Sequence, residues 1–427
     1  MFLRALTVCL ALLPSLTSAS SLSSTEYAYP IANPFIATIA GTPSAAAITL
    51  PAEHQIKQSD HALRLKKRGE LPGVFYQSHQ LKYRLAEQDG AAPLMFIIAG
   101  TGAHYASGTP ELLKKIFYQG GFHVVQLSSP TSWDFMAAAS RSATPGFSPD
   151  DADDLYRVMQ AVLANHPSLQ SSSINLTGYS LGGLQAAFVG ALDKQRRALN
   201  FKRILMLNPP VNLYTSVRNL DRLVQTKVPG ISNQQTFIDD LMQRLTRFFE
   251  RQGRIEVNEA MLAEFQTSDE ALSNEQLAML IGSAFRLSVA DIVYTSDLLN
   301  QRGLITPKDY PLGFNSDLAP FLKRSLLCDF DCYITQQLIP WWRKKHNGGS
   351  LLQMMNQVSL YALEPYLKDN PQIGVMHNAD DLILGPGDLG WLRRTMGAQM
   401  TLYPRGGHCG NFAYPTNAHN MLEFFHD

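Results

Sequence analysis

One serine lies where the pattern of the chain favours a catalytic nucleophile. Ser180 belongs to the run Gly-Tyr-Ser-Leu-Gly-Gly at residues 178–183. A short, partly β-branched run at 174–177 predicts a strand before it, and the stretch 184–189 after it is rich in helix formers. Glycine on both sides lets two backbones approach at a sharp strand-to-helix turn. Such a turn, a nucleophile elbow, lifts the serine hydroxyl clear of the sheet and leaves the Leu181 amide free at the start of a helix.

Three other apolar runs support the catalytic interpretation of this serine pattern. By itself the pattern arises by chance in roughly one chain in seven of this length. Residues 94–99, 373–377 and 400–403 are apolar runs, followed respectively by Gly-Thr-Gly, by Asn-Ala-Asp-Asp and by a glycine-rich turn with a histidine. Open α/β sheets build their sites at the carboxyl ends of their strands. The three runs therefore predict strands that bring Thr101, an acidic residue and His408 to one edge of a sheet.

A serine, a histidine and a carboxylate placed together can carry out acyl transfer. A serine hydroxyl is a poor nucleophile at neutral pH and needs a base that takes its proton during the attack. His408 suits this task because imidazole titrates near neutral pH, and a carboxylate behind the ring fixes its tautomer. The amides of Leu181 and Thr101 are the predicted donors to the oxyanion of the tetrahedral intermediate. The predicted reaction transfers an acyl group to water through an acyl-Ser180 intermediate.

With these residues the chain resembles the α/β-hydrolase superfamily. The chain order serine, aspartate, histidine matches, and His408 follows Asp381 by 27 residues within Gly-Gly-His-Cys-Gly, a setting similar to that of many members. The resemblance covers roughly residues 60–212 and 368–427. It implies an α/β fold with a mostly parallel central sheet and helices on both faces. It also implies a serine hydrolase whose catalytic residues are Ser180, Asp381 and His408.

Alternatives remain open for each of the three catalytic positions. Asp380 and Asp381 are both available as the acid. Asp381 is favoured because an apolar stretch follows it, as often happens in the superfamily, and Asp380 is then expected to stabilise a turn. His104, in the predicted oxyanion loop, is the alternative to His408. Ser180 is an ordinary turn serine in the alternative interpretation.

The composition is that of a large globular enzyme with no overall charge. The chain has 427 residues, of which 45% are hydrophobic and 17% charged, which is ample material for a core. Basic and acidic residues number 36 each, so no global field recruits nucleic acid. The basic run 343–346 is interpreted as a solvated helix end, and no nucleotide fingerprint occurs. No metal, nucleotide or redox cofactor is expected, and the expected partner is a small-molecule or lipid-like ester.

The first residues have the pattern of an export signal. Arg4 gives a positive start, residues 5–13 are apolar, and small residues end the segment at Ala19. The apolar stretch is shorter than the roughly 20 residues that span a bilayer, and the sequence suggests no second hydrophobic span. Residues 1–19 are therefore expected to be a signal peptide cleaved after Ala19. The mature protein is expected to be periplasmic or secreted, without a transmembrane segment.

Three cysteines remain in the predicted mature chain. Cys328 and Cys332 are one helical turn apart, near the upper limit of disulfide reach. An oxidising compartment permits a disulfide there, and a pair of small buried thiols is the alternative. Cys409, beside His408, is expected to be a packing residue.

The mature chain divides into an arm, a core in two parts and a large insertion. Residues 20–60, rich in Ala, Ser, Thr and Pro, are expected to form an extended surface arm. The core comprises residues 61–212 and 368–427. Residues 213–367 are much longer than a crossover needs, and their pattern is largely helical. This insertion follows a core strand, so it is expected to form a helical cap over Ser180.

Particular stretches carry these predictions. Two antiparallel strands, at 63–68 and 74–85, are expected to open the sheet. The clearest helical stretches of the cap are 237–251, 256–265, 274–285 and 351–367. Large aromatic residues of the cap either line an acyl pocket or form the cap's own core: Phe248, Phe249, Phe285, Trp341 and Trp342.

The sequence thus predicts an exported serine hydrolase of the esterase or lipase type, acting on a carboxylic ester. A serine peptidase or amidase uses the same triad and is the alternative among enzymes. A binding protein that kept the fold without turnover is the alternative from another class. The pattern leaves open the acyl group, the leaving group, the preference for ester or amide, and the oligomeric state.

Overall fold

The computed structural model describes most of the chain. The described residues are 20–21, 26–66, 71–75, 78–231, 236–237, 240–241, 243–244, 247, 268–313, 315–368 and 370–426. The predicted signal peptide, the predicted helix 256–265 and two candidate pocket residues, Phe248 and Phe249, lie outside them. The predicted helix at 237–251 is helical at every described position within it.

Nine strands form one mixed sheet in the described part of the chain. They are β1 (Ser20–Ser21), β2 (Gln58–Leu63), β3 (Leu81–Ala86), β4 (Ala92–Ile98), β5 (His123–Leu127), β6 (Ser171–Tyr179), β7 (Arg203–Leu207), β8 (Ile373–Asn378) and β9 (Met400–Tyr403). Their order across the sheet is β1-β9-β8-β7-β6-β4-β5-β3-β2. The β2–β3 and β3–β5 pairs are antiparallel and the other pairs are parallel. The predicted α/β fold class with a mostly parallel sheet is confirmed.

Fourteen α-helices lie wholly within the described residues and connect and cover the strands. They are α1 (Pro34–Ala40), α2 (Gly108–Gln119), α3 (Trp133–Ala138), α4 (Ser148–Asn165), α5 (Leu181–Arg196), α6 (Leu213–Arg222), α7 (Asn274–Leu299), α8 (Ala319–Leu326), α9 (Phe330–Tyr333), α10 (Ile339–Lys345), α11 (Leu351–Gln357), α12 (Glu364–Leu367), α13 (Asp388–Met396) and α14 (Pro415–His426). A π-helical turn at Ile334–Leu338 joins α9 to α10.

The central strands are apolar throughout because helices cover both faces of the sheet. In β4, Phe96 and Ile98 point into a core shared with α4 and α5. Met95 and Ile97 point into the opposite core, shared with α2 and α14. Successive side chains of a strand face opposite sides, so a strand buried on both faces has no polar alternation. This explains why the run at 94–99 could be recognised as a central strand.

The two opening strands are displaced from their predicted positions. The predicted antiparallel pair exists, but its strands are β2 and β3 rather than 63–68 and 74–85. Leu81, Tyr83 and Leu85 alternate inward with period two and are almost wholly buried, which sets the register of β3. Residues 73–75 form a helical turn instead of a strand.

The prediction of an extended surface arm at 20–60 was wrong. The segment contains α1 and β2, and both Tyr27 and Tyr29 are fully buried. Tyr27 Oη donates a hydrogen bond to Asn417 Oδ1 of α14 (2.5 Å), so the segment is anchored to the second part of the core. Its Ala- and Thr-rich composition suggested exposure because the few large side chains that anchor it are widely spaced.

Helices α6 to α12 form the predicted insertion between β7 and β8. Residues 351–367 do not form one helix: α11 ends at Gln357, a 3-10 turn spans Leu360–Leu363, and α12 follows. Among the described residues, one helix, α7, is long and apolar enough to cross a membrane. This apolar window was not recognised from the sequence, and the expectation of no transmembrane segment stays a prediction. Within this fold 61% of its apolar window is buried, and α7 packs against α1, α3, α6 and α8.

Candidate active site

The turn between β6 and α5 holds Ser180 in a conformation that few side chains adopt. Its backbone has φ 54° and ψ −126°. Two glycines make the turn possible: a Cβ on Gly178 would lie 2.2 Å from the Gly182 carbonyl oxygen, and a Cβ on Gly182 would lie 2.2 Å from the Ile98 carbonyl oxygen. Both distances are far below van der Waals contact, so neither position tolerates a side chain. Positive φ at a serine stores local strain, which the packing of the turn must maintain.

A hydrogen-bonded chain links Ser180, His408 and Asp381, although they are remote in sequence. Ser180 Oγ lies 2.9 Å from His408 Nε2. On the other side of the ring, His408 Nδ1 lies 3.0 Å from Asp381 Oδ2 and 3.1 Å from Asp381 Oδ1. With the ring proton on Nδ1, His408 donates to the carboxylate and accepts the proton of the serine hydroxyl. This is the arrangement that the sequence predicted for these three residues.

The two adjacent aspartates have different environments. Asp380 accepts hydrogen bonds from the backbone N–H groups of Gly406 and Gly407 (3.2 and 2.9 Å), so it stabilises the turn before His408. Asp381 is buried, and its carboxylate faces the imidazole. Of the two carboxylates, Asp381 is therefore the one in contact with the base, and Asp380 shapes the loop that carries it.

The electrostatics of the pair favour an ionised carboxylate beside a readily protonated imidazole. Burial opposes charge on His408, but the Asp381 carboxylate and the neighbouring Cys409 together outweigh it, and the pKa of His408 lies well above its usual value. Burial likewise acts to raise the pKa of Asp381, but the nearby His408 lowers that pKa overall. The arrangement stabilises the imidazolium that forms when Ser180 loses its proton.

Both predicted oxyanion donors lie beside the serine. Leu181 is the first residue of α5, so its N–H has no acceptor within the helix. The loop that carries Thr101 contacts the elbow: a Cβ on Gly100 would lie 2.7 Å from the Tyr179 ring and 3.3 Å from Ser180 Cβ. The N–H of Gly102 donates to Thr131 Oγ1 (2.8 Å), which holds the loop in place.

The alternative histidine and the neighbouring thiol have other partners. His104 Nε2 lies 3.6 Å from Asp134 Oδ2, and its ring packs on Tyr105, whereas His408 is the histidine that contacts the Ser180 hydroxyl. Burial raises the pKa of Cys409, although His408 acts in the opposite direction. A thiol held in its protonated form is a weak nucleophile.

Two positioning residues were not singled out from the sequence. Asn208, at the end of β7, donates from Nδ2 to Asp381 Oδ2 (2.8 Å), which orients the carboxylate. Thr38 of α1 accepts the backbone N–H of His408 at Oγ1 (2.9 Å). The position of Asn208 at a strand end was an available signal. Nothing in the local sequence marks Thr38, because its role depends on α1 packing on the histidine loop.

Two cavities adjoin Ser180. The first, here called the cleft, is open and has a volume of about 800 Å³, with Ser180 and His408 in its wall. The second, here called the chamber, is narrower and more enclosed, with a volume of about 60 Å³, and Thr101 and Leu181 stand in its wall. The cleft is bounded by the N-terminal segment and α7, and the chamber lies between the core and the cap.

The predicted pocket aromatics separate into two groups. Phe285 of α7 lines both the cleft and the chamber. Trp342 is buried, stacks on His346 and packs near Phe147, so it belongs to the packing between cap and core. Trp341 also packs against Phe147 and borders a separate charged surface groove. The two tryptophans therefore lie at the boundary between cap and core rather than in the cap's own core, and neither lines the cleft or the chamber.

Cys328 and Cys332 form a disulfide with a Cα–Cα distance of 5.2 Å. It connects the end of α8 to α9, whose Phe330 lines the chamber. Among the described residues, no group of three or more His, Cys, Asp or Glu side chains is arranged to hold a metal ion.

Comparison with solved structures finds matches at low identity. The structure of DcsB in complex with its substrate analogue is 14% identical, covering 86% of this chain and 98% of that chain, with a TM-score of 0.42. A fungal esterase structure from Rhizomucor miehei is 12% identical, covering 90% and 86%, with a TM-score of 0.41. A thermostable esterase from Pseudomonas putida is 12% identical, covering 92% and 86%, with a TM-score of 0.41.

No family model and no curated protein sequence matches this chain. The fold assignment therefore rests on the chain's own features. These are a mostly parallel sheet covered on both faces, a serine at a strand-to-helix turn, and a helical insertion between β7 and β8. They are the features that the resemblance to the α/β-hydrolase superfamily predicts.

Proposed function

We propose that the protein is a serine hydrolase that cleaves carboxylic esters through an acyl-Ser180 intermediate. One observation carries this proposal: the Ser180 hydroxyl, the His408 ring and the Asp381 carboxylate form a continuous hydrogen-bonded chain, with contacts of 2.9 and 3.0 Å. These are hydrogen-bonding distances for general base catalysis already in the unliganded protein.

The first half-reaction forms the acyl-enzyme. His408 Nε2 takes the hydroxyl proton as Ser180 Oγ attacks the carbonyl carbon of the ester. The carbonyl π electrons move to the oxygen, which becomes an oxyanion held by the N–H groups of Leu181 and Thr101. When this intermediate collapses, the bond to the alcohol oxygen breaks. His408 returns its proton to that oxygen, and the alcohol leaves.

The second half-reaction repeats the sequence with water. His408 Nε2 takes a proton from a water molecule, whose oxygen attacks the acyl carbon. The second oxyanion collapses, the bond to Ser180 Oγ breaks, and the serine regains its proton from His408. Asp381 stabilises the imidazolium in both halves and stays ionised throughout.

Turnover of a small panel of substrates tests the proposal. Wild-type protein should hydrolyse p-nitrophenyl esters, and Ser180→Ala should retain less than about a thousandth of that rate with an unchanged circular dichroism spectrum. A peptide anilide in the same panel separates esterase from peptidase. Faster cleavage of the anilide than of the esters would replace the proposed ester substrate by an amide.

The binding-protein alternative predicts a different result from the same panel. A protein that kept the fold without turnover would bind an ester but release it unchanged. Failure of wild-type protein to accelerate any ester or anilide, in a sample that is folded by circular dichroism, would reject the hydrolase proposal.

We also propose that the chain is exported and processed after Ala19. The sequence of residues 1–19 supports this proposal. N-terminal sequencing of protein recovered from the periplasm or the medium should begin at Ser20. Recovery of full-length protein from the cytoplasm alone would reject it.

A further inference from the structure

The chamber beside the oxyanion residues is built almost wholly from hydrocarbon. Its wall includes Val289 and Ile292 of α7, Leu338, and Met354 and Val358 at α11. Among the residues that the structure describes, none with a charged side chain lines it. The buried members of this wall come from both cap and core, so the chamber exists only when the two pack together.

Most hydroxyl groups in the chamber wall already form hydrogen bonds with other groups of the protein. Tyr333 Oη donates to the Pro145 carbonyl oxygen (2.7 Å) and Tyr214 Oη donates to Asp331 Oδ1 (2.7 Å). Thr131 Oγ1 accepts the Gly102 N–H (2.8 Å). A polar ligand that entered the chamber would lose hydrogen bonds to water and find few replacements. A hydrocarbon chain loses nothing and gains from leaving water.

The chamber and the cleft meet next to the reacting atoms. Thr101 and Phe285 belong to the walls of both. Leu181, the other predicted oxyanion donor, stands in the chamber wall, while Ser180 and His408 stand in the cleft wall. A carbonyl group bound at the oxyanion donors therefore has an apolar space on one side and an open, more polar space on the other.

We infer that the chamber holds the hydrocarbon chain of the acyl group, and that the cleft holds the alcohol that leaves. The inference rests on the proposed ester hydrolase activity and names the substrate class of that site. Phe285 stands between the two spaces and sets the boundary between the acyl and alcohol sides. A peptide fits the chamber poorly, because its amide groups would be buried against carbon.

The inference predicts that kcat/KM depends on the length of the acyl chain. Each methylene buried in the chamber should raise kcat/KM by about four-fold, until the chain reaches the chamber's end. The test compares p-nitrophenyl esters from acetate to decanoate, each below its critical micelle concentration, with the full chain as produced after export.

A variant that fills the chamber supplies the second arm. Met355 of α11 is partly buried and lines the chamber, so the larger side chain of Met355→Trp should fill part of the chamber. Leu352 lies on the same helix but is 64% exposed and outside the chamber wall, so Leu352→Trp is the matched control. Met355→Trp should reduce kcat/KM for the decanoate at least ten-fold and leave the acetate within two-fold. Leu352→Trp should leave both unchanged.

The outcomes distinguish this inference from the proposed function. An equal rate for all chain lengths in wild-type protein would overturn the chamber as an acyl site, while the ester hydrolase remains. An unchanged kcat/KM for the decanoate in Met355→Trp would also overturn the chamber as an acyl site, provided that acetate turnover shows the variant to be folded. A protein that hydrolyses no ester and whose Ser180 resists a fluorophosphonate would refute the proposed function itself.

Discussion

Replacing Asp381 by asparagine should remove most of the catalytic rate and leave the fold in place. Asp381 accepts Asn208 Nδ2 at one oxygen and the Ile383 N–H at the other (2.8 and 3.1 Å), and both oxygens face His408 Nδ1. An amide has only one acceptor oxygen. If that oxygen faces the ring, the NH₂ group is left facing an N–H donor, which is unfavourable. If the NH₂ group turns toward the ring instead, it donates to Nδ1 and favours the tautomer with the proton on Nε2. In that tautomer the ring cannot accept the proton of Ser180.

The expected loss follows from this tautomer argument. The corresponding substitution in a serine triad costs about 10⁴ in kcat. The donor left unpaired costs about 1–3 kcal/mol of unfolding free energy, which lowers the stability of the fold and is separate from the loss in kcat. Asp380→Asn is the matched control, because Asp380 contacts the Gly406 and Gly407 N–H groups and not the ring. It should lose no more than about ten-fold in kcat.

The pH profile gives an independent check on the same pair. Because the Asp381 carboxylate raises the pKa of His408, wild-type kcat/KM falls on the acidic side as that imidazole becomes protonated. Without the carboxylate the His408 pKa falls, so the acidic limb of the residual activity should move to lower pH. Asp380→Asn should leave the limb nearly in place.

The rate of p-nitrophenol release is measured over a range of pH for the wild-type protein, Asp381→Asn and Asp380→Asn. Thermal unfolding followed by circular dichroism is the control for folding. A larger loss in Asp380→Asn than in Asp381→Asn would show that the wrong carboxylate has been assigned. A loss below ten-fold in Asp381→Asn would refute the tautomer argument.

Two further substitutions test other parts of the structure. Thr38→Val removes the acceptor of the His408 N–H and should lower kcat about ten-fold with little change in KM. Thr38→Ser keeps the hydroxyl and should restore the rate. Equal rates in the wild-type protein and both variants would show that α1 does not position the ring. Replacing Cys328 and Cys332 together by serine should lower the unfolding free energy by about 2 kcal/mol, measured by urea unfolding, and an unchanged midpoint would contradict a stabilising disulfide.

Residues whose role is local could be predicted from the sequence. The Ser180 elbow is recognisable because its glycines, its strand and its helix are contiguous in the chain. The runs that became β4, β8 and β9 are apolar on both faces, and that pattern survives without knowledge of the neighbours. The polar residues at their ends followed, because parallel strands bring their carboxyl ends to one edge.

Residues whose role depends on distant packing could not be predicted in this way. Thr38 reaches the histidine loop across 370 positions of sequence, and the buried Tyr27 bonds to α14 across 390. The N-terminal segment therefore looked like a surface arm. Likewise Trp342 was a candidate for the acyl pocket by size alone, although its side chain packs on Phe147 and His346.

The central claim is that Ser180 is a nucleophile activated by His408. Mass spectrometry of native protein treated with a fluorophosphonate probe tests it most directly. The account predicts one covalent adduct, on the peptide that contains Ser180, which is absent in Ser180→Ala and slowed by orders of magnitude in His408→Gln. An unmodified Ser180 in folded protein, or labelling that does not depend on His408, would contradict it.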